Sequence, residues 1–227
     1  LHRAYNFADL PVAKLLLLNP QMNVNRYEQL RKKDRKKTKS KNNIYQLVSY
    51  YLNSLTINEI ELRDGRFDFS NFNHSEKVGY SNGKVNLLLN NFRLEPGKYR
   101  DGKKLFNAED IRMIISDYSM KTQNNLHLLT VNEIGISTAK PEIYAQGIRL
   151  KPLPAANRIR QLRAFNKSSY FDAAISKLVM KQADISQVYF DRKLQIHRIT
   201  IANPKVNVVK YSNIQPVTVD ELNDSIQ

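Results

Sequence analysis

The sequence predicts a mainly β protein: a long, curved, antiparallel sheet shaped as a half-pipe, with one or two short amphipathic helices. Three observations lead there. A short apolar phrase recurs along the chain, a longer stretch recurs at a fixed offset, and turn dipeptides punctuate the alternation.

Writing Φ for an apolar residue, the phrase is Φ-x-Φ-x-x-Φ-x-Φ. It stands as Leu55-Ile57-Ile60-Leu62, as Leu129-Val131-Ile134-Ile136 and as Leu194-Ile196-Ile199-Ile201. Looser copies are Leu87-Leu89-Phe92-Leu94, Ile143-Ala145-Ile148-Leu150 and Leu178-Met180-Ala183-Ile185. A step of two puts alternate side chains on one face of a strand. The doubled x shifts that phase, and a bulge there restores the face while bending the strand. A step of three also fits a helix. The flanking steps of two, the β-branched and aromatic residues and the turn signals after each copy favour strands.

The longer repeat aligns residues 10–27 with residues 194–211 without gaps. Leu10/Leu194, Asn19/Asn203, Pro20/Pro204, Asn23/Asn207, Val24/Val208 and Tyr27/Tyr211 coincide, as do the basic pairs Lys14/Arg198 and Arg26/Lys210. The offset, 194 − 10, is 184 residues. The chain therefore reads as one unit of that length plus the start of another, a piece of a longer repeat array.

In chain order, residues 1–27 read as the end of a preceding β-repeat unit. Residues 28–42 form a basic linker with eight basic and two acidic side chains, a net +6. Residues 43–54 read as an amphipathic helix, because Ile44, Leu47, Val48, Tyr51 and Leu52 fall on one stripe and Asn42 or Asn43 can cap it. Residues 55–211 form the β unit, and 212–227 a linker or the start of the next unit. Asp64-Gly65 predicts a hairpin that places Leu62 opposite Phe67, with Phe69 continuing that face. Asn82-Gly83 predicts a turn within Tyr80–Pro96. Residues 108–118 fit either a strand through Ile111, Met113 and Ile115 or a helix begun at Asn107. Residues 154–167 read as a basic loop with one helical turn. Asn203-Pro204 fits a turn or an edge bulge between Ile201 and Val206.

Composition narrows the function. The chain has 227 residues, 41% hydrophobic and 25% charged, with 24 Asn and neither Cys nor Trp. Its longest apolar run, Leu15–Leu18, is far short of the roughly 20 residues of a membrane-spanning helix. Without cysteine there is no thiol catalysis, disulfide or cysteine zinc site. His2, His74, His127 and His197 lack metal-ligand spacing, no nucleophile elbow or phosphate loop is present, and the adjacent Glu109 and Asp110 point apart. No enzyme, cofactor or metal is expected. The net charge of +15 invites a nucleic-acid reading. The basic run carries no interleaved aromatic residue, which such binding wants. Arg31, Lys32, Lys33, Arg35, Lys36 and Lys37 suit an anionic membrane surface better, beside the amphipathic helix.

The order of these phrases, from LTINEIELRDGRFDF through VNLLLNNFRLEP and LLTVNEIGIST to the Leu194–Val208 stretch, resembles the AsmA-like/TamB superfamily of diderm bacteria. The resemblance covers nearly the whole chain; the long basic insert at 28–42 departs from it. It implies a repeating β-groove and a periplasmic protein anchored to the inner membrane by a segment absent from this chain. It also implies kinship with bridge-like lipid transfer proteins, which carry phospholipids between membranes. The implied groove-lining residues are Leu55, Ile57, Ile60, Leu62, Phe67, Phe69, Leu87, Leu89, Phe92, Leu94, Leu129, Val131, Ile134, Ile136, Ile148, Leu150, Leu178, Met180, Leu194, Ile196, Ile199, Ile201, Val206 and Val208. The partners are then an acyl-chain lipid and the remainder of the same long polypeptide. Alternation does not distinguish an open trough from the core of a sandwich or barrel. The competing class is a structural or adhesive β-repeat segment of an envelope or secretion assembly, without a groove.

Overall fold

A computed structural model describes residues 8–28, 52–73, 76–94, 107–122, 126–154, 158–185, 187 and 193–211. Ten strands make one sheet. They are β1 (Ala8–Leu18), β2 (Gln21–Glu28), β3 (Leu52–Asn73), β4 (Glu76–Leu94), β5 (Asp110–Lys121), β6 (His127–Ser137), β7 (Glu142–Pro152), β8 (Ser169–Lys181), β9 (Arg198–Ala202) and β10 (Lys205–Lys210). The helix α1 (Arg158–Ala164) joins β7 to β8. The fold is mainly β, as the recurring phrase predicts, and the sheet does not close into a barrel.

Every neighbouring pair from β3 onward is antiparallel. β1 and β2 add to the edge of β3 in parallel. They form one interrupted strand, since Leu18 faces Arg63 and Gln21 faces Arg66 without loss of register. At the interruption Asn19 N–H donates to the Arg63 carbonyl at 2.9 Å, and Arg66 N–H donates to the Pro20 carbonyl at 2.8 Å. β9 and β10 form the corresponding interrupted strand at the opposite edge, along β8.

Four local expectations change. Asp64-Gly65 is not a hairpin: β3 runs straight through it. Asp64 is left-handed (φ 55) and the register with β4 shifts between Leu62 and Gly65. Asp-Gly supplies the same positive φ to a bulge as to a turn, and β1–β2 on one side with β4 on the other hold β3 extended. Asn82-Gly83 likewise lies inside β4. Leu52–Ser54 begin β3 rather than end a helix, and residues 43–51 lie outside the described residues. Leu194 and Ile196 lie in an irregular segment ahead of β9, which starts only at Arg198. Of residues 108–118, those from Asp110 on are strand, the first part of β5. The basic stretch at 154–167 holds a two-turn helix that buries Leu162 completely. That helix ends on left-handed Asn166, with Lys167 N–H donating to the Leu162 carbonyl and Asn166 N–H to Arg163, the two bonds of a Schellman cap.

The doubled x of the phrase has a structural counterpart. Asn91 (φ 52), Gly147 (φ 64) and Gln182 (φ 53) are left-handed and occupy its second x in three copies. Asn58 and Asn132 occupy its first x in two others and stand opposite Asn91 and Gly147, where the strand ladder is interrupted without a change of register. Asp117 (φ 53) faces Asn132 from the other side. A left-handed residue turns the following side chain back to the face it would have left. Ile115 and Tyr118, three apart across Asp117, both reach the neighbourhood of Phe67 and Gly83. The break inferred from the phrase thus recurs: Asp117, Asn132 and Gly147 line up across β5, β6 and β7, and Asn58 with Asn91 breaks β3 and β4 on the opposite flank.

A candidate apolar binding face

Residues in register on neighbouring strands point to the same face. Followed across the sheet, the pairing gives the row Leu17–Leu62–Leu87–Met113–Ile136–Ile143–Met180–Ile199, one apolar residue from every strand position. Beside it runs Val85–Ile115–Ile134–Ala145–Leu178–Ile201. On its other flank, Leu15, Ile60, Leu89 and Ile111 line up. Beyond the breaks the face continues. Val24–Phe69–Ser81–Met120–Leu129–Leu150–Ala173–Val206 crosses all eight positions with one serine among them.

The remaining expected residues fall in place around these rows. Leu55 pairs Leu94, and Ile57 pairs Phe92, past the Asn58/Asn91 break. Phe67 pairs Gly83, Val131 pairs Tyr118, Ile148 pairs Ile175 and Val208 pairs Phe171. Leu194 and Ile196 do not belong to the strand rows. The expected set omits β5, whose Ile111, Met113, Ile115 and Met120 sit in the middle of the face. Their step of two was the available signal, masked by a step of four that also suits a helix.

One residue along, the pairing gives Leu16–Glu61–Leu88–Arg112–Ser137–Glu142–Lys181–Arg198, a largely charged row on the opposite face. There Lys14 Nζ lies 2.5 Å from Glu59 and 2.7 Å from Glu61, and Arg63 Nη2 lies 2.6 Å from Glu61. The Lys14 hydrogen bond, then that of Arg63, holds the Glu61 carboxyl below its usual range. The Glu59 bond, then that of Glu61, holds Lys14 above its own. Tyr144 donates to Glu133 at 2.8 Å and lies under the Lys177 ammonium. These groups are exposed or half-exposed, so they hold the strands in register more than they stabilise the fold.

Among the described residues no second sheet faces the apolar side. Among the described residues ten hydrophobic residues are buried, a small number for so many apolar strand positions. Buried residues cluster at Leu89, Ala108 and Ile111, with Ile60, Leu87 and Ile185 against them. Toward the edges exposure rises, to 55% at Ile199 and 65% at Val206. A concavity of about 530 Å³ opens between β3, β4 and β5, lined by Phe69, Ser81 and Met120 with polar neighbours such as Asn71 and Thr122. The described residues include no helix long and apolar enough to cross a membrane. Compared with protein-family models, curated proteins and solved structures, the chain matches none.

Proposed function

We propose that the chain is a non-enzymatic lipid-binding segment whose apolar sheet face carries phospholipid acyl chains. In keeping with the AsmA-like resemblance, its setting is the periplasm and its task is phospholipid movement between the inner and outer membranes, in support of outer-membrane biogenesis. The observation that carries this reading is the unbroken apolar row from Leu17 to Ile199, half-buried along its middle and exposed at both ends, with a charged row directly behind it. Seven strand intervals of about 4.8 Å give that row a length of about 34 Å. This is about twice the roughly 15 Å that one leaflet contributes to a bilayer's hydrocarbon core. Each methylene laid on it contributes about 0.8 kcal/mol. Movement along such a face needs no covalent chemistry. The basic residues Arg31, Lys32, Lys33, Arg35, Lys36 and Lys37, outside the described residues, are assigned on composition to an anionic membrane surface.

The test is photo-crosslinking in the intact protein. A crosslinker at Ile60 or Ile134 is expected to capture phospholipid, and one at Glu61 or Thr200 on the opposite face is not. Lipid captured only from Glu61 and Thr200, or none co-purifying by mass spectrometry, refutes the proposal and leaves the structural or adhesive repeat.

A further inference from the structure

The two ends of the sheet are copies of one another in sequence. We infer that the free edge of β9–β10 is an interface for the β3 strand of a second unit of this same fold, paired in parallel and in the register of β1–β2 on β3. The repeat at 184 residues aligns Leu10–Tyr27 with Leu194–Tyr211. The first of these stretches lies in β1–β2 at one edge, and the second, from Arg198 onward, forms β9–β10 at the other. Both are broken at the same point, by Asn19 (φ 50) and by Asn203 (φ 49), each followed by proline.

β1–β2 already shows what pairs with such a strand. Its partner β3 lies parallel, 45 residues ahead, with Lys14 opposite Glu59, Leu15 opposite Ile60, Leu17 opposite Leu62, Met22 opposite Phe67 and Val24 opposite Phe69. Carried over by 184, Arg198 meets Glu59 of the second unit, Ile199 meets Ile60, Ile201 meets Leu62, Val206 meets Phe67 and Val208 meets Phe69. Charge and side-chain class match at each of these positions, and Arg198 gains the carboxylates that hold Lys14. The interruption matches too. Asn19 N–H and the Pro20 carbonyl bond to Arg63 and Arg66 of β3, whereas Asn203 N–H and the Pro204 carbonyl have no backbone partner among the described residues. A long sheet edge with apolar residues exposed by 50% or more at Ile199, Ile201, Val206 and Val208 invites pairing. The repeat says which strand fits it. The occupant follows from register and does not depend on lipid binding.

The chain has no cysteine, so engineered thiols report the contact cleanly. The protein to use is the full chain followed directly by a second copy of residues 44–227, which preserves the 184-residue spacing. Lys14→Cys with Glu59→Cys in the single chain is the reference pair. Arg198→Cys with Glu59→Cys of the second unit is the test pair. Loss of both test thiols within one tandem molecule, as for the reference, is expected. Hydrogen exchange at residues 199–209 is expected to slow in the tandem relative to the single chain. Test thiols that stay free, thiols that close only between separate molecules, or unchanged exchange at 199–209 each overturn the inference.

Discussion

Phe67 and Tyr118 meet at 6.4 Å between ring centroids although a whole strand lies between them. They reach each other over Gly83 of β4, where a Cβ would stand 3.1 Å from the Phe67 ring and 3.3 Å from Ile115. The missing side chain is the space in which the two rings meet, across the line where β3 and β5 break their alternation.

Filling that space is therefore costly. Gly83→Val is expected to destabilise the protein by about 1–3 kcal/mol, the usual cost of overpacking. Chemical denaturation measures it. Gly83→Val with Phe67→Leu should recover part of the loss, and a single variant as stable as the parent would rule out the account.

Gly147 answers to a different constraint. Its φ of +64 costs any side-chain-bearing residue about 1–2 kcal/mol, and an added Cβ would fall 2.4 Å from Asn132 Nδ2. Gly147→Ala is expected to lower stability by more than that strain alone. Adding Asn132→Gly should remove the clash and leave the strain, so partial rescue is the outcome to look for in urea unfolding.

His127 gives the fold a pH dependence. β7 ends at Pro152, which faces His127, and one strand further on Phe171 N–H donates to His127 Nε2 at 3.0 Å. Nε2 accepts only when unprotonated, and burial pushes the imidazole below its usual range. The folded state thus prefers neutral histidine. This contribution is fully present above the unfolded value of about 6.5 and is lost as pH falls below it through the depressed folded value. The urea midpoint should drop between pH 7.5 and pH 5 in the parent. It should drop less in His127→Gln, which keeps an acceptor and does not titrate. Equal slopes would remove His127 from the explanation.

The proposed lipid face is weakest to a polar group at its centre. Ile136 sits mid-row between Met113 and Ile143. Ile136→Asn is expected to reduce co-purified phospholipid several-fold. Thr200→Asn, on the other face, should leave it unchanged. Circular dichroism checks that both variants keep their strand content, and equal lipid loss in the two would speak against a one-sided binding surface.

How much of this is visible in the residues depends on the range of the interaction. The phrase around Ile57-x-x-Ile60 reports alternation and its phase shift, both local, and the strands and the apolar face follow from it. Left-handed Asn91 and Gly147 are legible for the same reason, as Asn and Gly at the doubled x. Asp64-Gly65 is ambiguous because a bulge and a hairpin ask for the same backbone angles; only the strands flanking β3 decide. Leu52 fits a helical stripe by local spacing, and the partner that makes it strand, Ala8, lies far away in sequence. That no second sheet among the described residues faces the apolar side was not readable at all: alternation reports that a face is apolar, and says nothing of what stands opposite.

The lone parallel junction between β1–β2 and β3 has a consequence in counting. From β1–β2 to β9–β10 the sheet takes seven steps, an odd number. Were every step antiparallel, the strand would return reversed, and an identical sequence could not enter an identical environment. One parallel step restores the parity, so β9–β10 runs in the sense of β1–β2. The sheet then has a direction, and copies of the unit are related by a translation and a twist, with no reversal. With further units paired as inferred, each would lengthen the sheet by a step of about 34 Å, at about 4.8 Å per strand interval. Length along such a sheet is set by how many times 184 residues are written.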